Sequence, residues 1–88
     1  MNEIKAYLNS ELQVTSWPAK SKNKEAVISY LAEKFEKEKF YTEKEVNELL
    51  NKFHTFSDST LLRRELYERK LLDRDNNGSR YWKVNKNE

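Results

Sequence analysis

The 88-residue chain has no cysteine, one histidine, one glycine and one proline. Without cysteine there is no disulfide, no thiolate metal site and no cysteine nucleophile. With His54 alone, a zinc site would have to be built mostly from carboxylates, which zinc rarely accepts. A single glycine excludes the glycine-rich loops that cradle nucleotide phosphates. No apolar run approaches the length of a membrane span. Met1-Asn2-Glu3-Ile4-Lys5 lacks the basic region and apolar stretch of a signal peptide, so a cytoplasmic protein without a membrane partner is expected.

What is present is charge and aromatic bulk. Charged residues make up 36% of the chain and aromatic residues 12%. At this length folding hides only about 60% of the surface of the unfolded chain, so a small core must rely on large side chains. The net charge of +2 is too small to announce a nucleic-acid binder, but its distribution is uneven. Residues 1–62 carry 9 basic and 10 acidic side chains, and residues 63–88 carry 8 and 5. All five arginines, Arg63, Arg64, Arg69, Arg74 and Arg80, fall in the second stretch. A guanidinium fork suits phosphates, base edges and carboxylates better than an ammonium does.

Ile4, Tyr7, Leu8 and Leu12 suggest a short first helix. Pro18 then forces Trp17 towards extended geometry. Ser21 is expected to cap a second helix that buries Ala26, Val27, Ile28, Leu31 and Phe35. After a short extended segment at Phe40-Tyr41, Thr42 and Glu45 form a capping box. The third helix carries its apolar stripe at Val46, Leu49, Leu50 and Phe53. A turn follows at residues 54–57, and Ser57 or Asp58 caps a fourth helix running to about Lys70. Asn77-Gly78, between strand-like runs at 71–74 and 80–84, signals a hairpin.

This order implies an α+β fold. The expected architecture is a winged helix-turn-helix, with a three-helix core and a C-terminal β-hairpin wing, preceded by one extra N-terminal helix. It reads as one domain over residues 1–88. Residues 1–20 form the N-terminal helix and extended segment, 21–84 the winged-helix core, and 85–88 a disordered tail.

On the fourth helix Leu61, Leu62 and Leu66 define one side, and Thr60, Arg63, Arg64 and Tyr67 share the other. Glu65 and Arg69 stand one turn apart and can pair. Arginine can bond guanine O6 and N7 together, while threonine and tyrosine reach phosphates or thymine methyls. Arg63 or Arg64 could instead pair with Glu43, Glu45, Glu48 or Asp58. With Asn77-Gly78 central, Asp75 faces Arg80, Asp73 faces Trp82, Arg74 faces Tyr81 and Leu71 faces Val84. Leu71, Trp82 and Val84 would then close the core. Arg74, Arg80 and Lys83 near a wing tip could touch DNA. Lys20, Lys22 and Lys24 surround the start of the second helix, where the dipole and ammonium groups favour phosphate.

Two catalytic or metal patterns fail on inspection. The segment from Asp73 to Gly78 matches the first half of a calcium loop, but Val84 stands where the twelfth-position carboxylate is needed. His54, Ser57 and Asp58 are triad residue types, yet a triad is recognised by geometry, not closeness in sequence. The chain reads as non-enzymatic and needs no cofactor.

Trp17-Pro18-Ala19-Lys20, the run from Tyr41 to Leu50, and Phe56-Ser57-Asp58 leading to Leu62-Arg63-Arg64-Glu65-Leu66 form an ordered motif set. Leu72-Asp73-Arg74 and Gly78-Ser79-Arg80-Tyr81-Trp82 complete it. Together they resemble a bacterial family of small uncharacterised domains, over roughly residues 12–84. The resemblance implies a C-terminal partner of helix-turn-helix domains in transcriptional regulators. The stretch from Ser59 to Leu66, ending at Leu71-Leu72-Asp73-Arg74, also resembles the recognition helix and wing entry of deoxyribose-repressor-type regulators, with a shorter wing.

The leading expectation is a DNA-binding module of a bacterial regulator, with double-stranded DNA as partner. Thr60, Arg63, Arg64 and Tyr67 would face the major groove, Arg80 and Lys83 the wing contacts, and Lys20 and Lys22 the phosphates. The alternative is a protein-interaction or effector-sensing module beside a separate DNA-binding domain, with Trp17, Tyr81 and Trp82 as a partner-facing surface. A homodimer is compatible with either, but no heptad pattern enforces one.

Overall fold

A computed structural model describes residues 2–84, so the tail expected at 85–88 lies outside the described residues. Helices α1 (Asn2–Lys5), α2 (Ser21–Ala32), α3 (Glu43–Lys52) and α4 (Ser59–Glu68) precede strands β1 (Leu72–Arg74) and β2 (Tyr81–Lys83). The strands form an antiparallel hairpin. This small α+β arrangement is compatible with a winged-helix-like fold.

The capping signals explain where α3 and α4 begin. Thr42 Oγ1 accepts the Glu45 N–H at 3.1 Å, and Glu45 Oε1 accepts the Thr42 N–H at 2.9 Å. Of the two candidate caps on α4, Asp58 serves, accepting the Leu61 N–H at 3.2 Å. The apolar stripes follow: Val46 and Leu50 on α3, and Leu62 and Leu66 on α4, are fully buried. They meet Val27, Ile28 and Leu31 of α2 in one core.

Three local expectations need correction. Ser21 does not cap α2: Lys20 takes the N-cap position in extended geometry, and no side chain caps the helix. Ala26 lies at the rim of the core, while Tyr30 and Ala32 are buried. The first helix ends at Lys5 and does not run on to Leu12. There the Asn9 carboxamide accepts the N–H groups of Glu11 and Gln13, both at 2.9 Å, and folds the chain back on itself. Leu12 takes a left-handed φ of 64° in that loop, and Tyr30 donates its hydroxyl to the Leu12 carbonyl at 2.6 Å.

Beyond this loop Val14 joins distant segments. Its N–H donates to the Phe53 carbonyl at 2.7 Å, and its carbonyl accepts the Thr55 N–H at 2.9 Å. The neighbouring His54 is buried. Its Nε2 accepts the Asp58 N–H at 2.9 Å, so the proton sits on Nδ1, which donates to the Leu50 carbonyl at 2.7 Å. His54 thus ties the end of α3 to the cap of α4.

The hairpin has the expected register: Leu72 faces Lys83, Asp73 faces Trp82 and Arg74 faces Tyr81. Its faces are the reverse of those expected. Leu72 and Tyr81 are buried, whereas Leu71, Trp82 and Val84 are only partly so. Two constraints set this phase. Lys70 ends α4 at a left-handed φ of 65°, with Lys70 N–H donating to Tyr67 and Leu71 N–H to Leu66. Tyr41 and Tyr81 exchange both backbone hydrogen bonds, at 2.8 and 2.7 Å, so the extended segment at Phe40-Tyr41 lies against β2.

The hairpin turn also differs. Gly78 N–H donates to the Asp75 carbonyl at 3.1 Å, which places Asn76-Asn77 at the centre of the turn and Gly78 after it, at φ 72°. A Cβ on Gly78 would come within 3.1 Å of Arg74 Nη1. The Asp75 carboxylate accepts the Ser79 hydroxyl at 2.8 Å and N–H at 2.9 Å, and the Arg80 N–H at 3.2 Å. These bonds, the Ser79 hydroxyl foremost, hold the Asp75 carboxyl below the usual aspartate range.

Two outcomes follow. Leu62→Ala removes a fully buried side chain and should cost about 2–5 kcal/mol in urea unfolding, a large share of the stability of a domain this size. Because the folded pKa of Asp75 is depressed, its stabilisation of the turn is present above about pH 4 and is lost as pH falls through the lowered value. The Ser79 and Arg80 amide resonances should titrate below the usual aspartate range, and Asp75→Asn should abolish that transition.

Candidate nucleic-acid interface

Leu62 and Leu66 of α4 enter the core, Leu61, expected with them, is only half-buried and lies outside it, and Thr60, Arg63, Arg64 and Tyr67 line the other side of the helix. Thr60 and Arg64 are exposed, and Tyr67 is 39% exposed. They border a depression of about 330 Å³ whose remaining walls are Glu43, Arg74 and Tyr81. Three guanidinium groups face one carboxylate there, so the depression favours an anion.

The arginines differ in what holds them. Arg63 crosses to α3, where Nη1 donates to Asn47 Oδ1 and Nη2 lies 3.6 Å from Glu43 Oε2. Its side chain is only 16% exposed. One of the pairings weighed from sequence, Arg63 with Glu43, is therefore present, and Asn47 supplies a second contact. Arg64 makes no ion pair among the described residues. Glu65 and Arg69 pair with each other at 2.9 Å, as their spacing implies.

Arg74 is the site residue that the sequence left at the wing tip. Its guanidinium lies 4.8 Å from the Tyr67 ring centroid and couples β1 to α4. The signal was the hairpin register together with the correct inward face, which brings Arg74 beside Tyr81 and towards α4.

The other candidates lie elsewhere. Arg80 is held by Asp75 at 3.5 Å, and its guanidinium carbon lies 4.7 Å from the Phe40 ring centroid. Lys83 Nζ donates to the Phe35 carbonyl at 3.3 Å, beside the core. Lys20 and Lys22 are exposed at the start of α2, and Lys24 sits 5.7 Å from the Trp17 ring. No hydrogen bond or ion pair among the described residues joins Lys20 or Lys22 to the α4 depression.

The calcium-like segment spends its Asp75 oxygens on the turn itself. Among the described residues no cluster of three or more His, Asp or Glu could hold a metal ion. His54 Nε2 is occupied by a backbone N–H and cannot serve Ser57 as a base. No helix among the described residues is long and apolar enough to cross a membrane.

Comparison with curated proteins and with solved structures gave no match. A family described as "Uncharacterized protein conserved in bacteria (DUF2087)" matches residues 13–83. That span takes in all of α2, α3, α4 and the hairpin, and the chain belongs to this bacterial family.

Proposed function

We propose that the chain is a DNA-binding winged-helix module of a bacterial transcriptional regulator, with α4 docking in the major groove. The observation that carries this reading is the arginine-rich depression between α4 and β1. It combines an exposed Arg64 with a second guanidinium, that of Arg74, placed over the Tyr67 ring.

The roles divide by burial. Arg64 is the base-edge or phosphate contact, because its fork has no ion-pair partner among the described residues. Thr60 and the Tyr67–Arg74 pair contact phosphates and set the register of the helix on the duplex. Arg63 is a positioning residue that clamps α4 to α3 through Asn47 and Glu43. Arg80, Lys20 and Lys22 add flanking phosphate contacts, while Lys83 is engaged at the Phe35 carbonyl. Asp58, which caps α4, opposes a phosphate at that helix start, so the affinity rests on the arginines.

The test is an amide NMR titration with a mixed-sequence duplex at low and high salt. Shifts should concentrate on Thr60, Arg64, Tyr67 and Arg74 and fade steeply with salt. Arg64→Ala should weaken duplex binding about tenfold while leaving the fold intact. If Arg64 meets a phosphate, the salt slope should also drop by about 0.9. A flat titration at low salt would sink the proposal.

A further inference from the structure

The hairpin separates two depressions. Arg74 and Tyr81 line the one beside α4, and Asp73 and Trp82, their sequence neighbours on the opposite face, line another. The second is larger, about 660 Å³, well within the ~300–1,000 Å³ range of ligand sites. None of the α4 side chains lines it.

Its wall is aromatic and its rim is cationic. Phe40 is 58% exposed, a large apolar ring left open in a chain whose core has few such rings to spare. It meets Trp82 edge-on, with centroids 5.7 Å apart and planes at 88°. The Arg80 guanidinium lies 4.7 Å from the Phe40 centroid. Lys37 and Lys39 enter from the loop after α2, and cations exceed carboxylates in the lining by two. Between those lysines Glu38 is held at a left-handed φ of 58°. A non-glycine residue keeps such a conformation only where its surroundings impose it.

We propose that this face of the hairpin binds single-stranded nucleic acid. Phe40 and Trp82 are the stacking platform, and Lys37, Lys39 and Arg80 contact the phosphates. An unstacked base offers a flat face to an exposed ring, and the adjoining guanidinium adds a cation beside it. Bases in a duplex are already stacked and cannot use the ring in this way. An acidic protein segment would match the charge, but would leave the open ring beside the guanidinium without a flat partner. This site shares Arg80 with the major-groove reading, but its aromatic platform lies on the other face of the hairpin and none of its lining comes from α4.

The experiment measures fluorescence anisotropy of a labelled short oligothymidylate, with circular dichroism confirming that each variant folds. The wild-type chain should bind the strand at low salt. Phe40→Ala, a change at an exposed ring, should weaken binding about tenfold or more, and Arg64→Ala should leave it unchanged. Lys37→Ser with Lys39→Ser should lower the salt slope by about 1.4, an independent reading that spares the aromatic platform. Failure of the strand to bind at low salt would overturn the proposal. Equal affinity for an abasic strand of the same length would do so too, because phosphate alone would then suffice. So would equal losses in the Arg64 and Phe40 variants, or tighter Phe40-dependent binding of a glutamate-rich peptide carrying one phenylalanine. Strand binding that survives alongside a flat duplex titration would remove the major-groove reading alone.

Discussion

Lys70 occupies the left-handed position that ends α4, and the two hydrogen bonds around it decide how the chain leaves the helix. A non-glycine residue there costs about 1 kcal/mol in backbone strain. The turn directs Leu72 into the core, and by the period of two Asp73 faces the other way. Cross-strand pairing transmits that choice to Tyr81 and Trp82, and the two bonds between Tyr41 and Tyr81 hold it. Everything distinctive about the surface follows. Arg74 reaches Tyr67, and Trp82 turns to Phe40.

A second constraint holds the helices to one another. Val14 is bonded on both sides to the segment that joins α3 and α4, and His54 spends both ring nitrogens within that turn. Neither residue leaves a buried polar group unsatisfied. Arg63 adds a clamp further along the same pair of helices. The α4 surface is therefore presented by a rigid pair, and its exposed arginine is borne on a frame that a partly buried arginine helps to hold.

Much of this was written locally in the chain. The capping box at Thr42 and Glu45, the Asp58 cap, the α3 stripe and the Glu65–Arg69 pair each depend on residues within a few positions of one another. The hairpin register was legible because the strands bracket a turn. Its faces were not, since alternation leaves the phase open and the residue that sets it is a lysine, with no glycine to mark the left-handed site. The shortened α1 escaped notice because Asn9 bonds to its own neighbours where a helix pattern continues. Val14 with His54, Arg74 with Tyr67, and Phe40 with Trp82 are long-range pairings that spacing alone does not encode.

The one glycine of the chain stands at the hairpin turn, where the left-handed backbone already favours it, and a Cβ there would also press on Arg74 Nη1. That arginine rests on Tyr67 of α4. The turn and the helix surface are thus mechanically linked through a single side chain, with no strand required to shift. A methyl group at this turn would ask the tip of that guanidinium to yield by a few tenths of an ångström. The bare backbone at position 78 serves the bend first, and the clearance it leaves for an arginine tip is the smaller consequence.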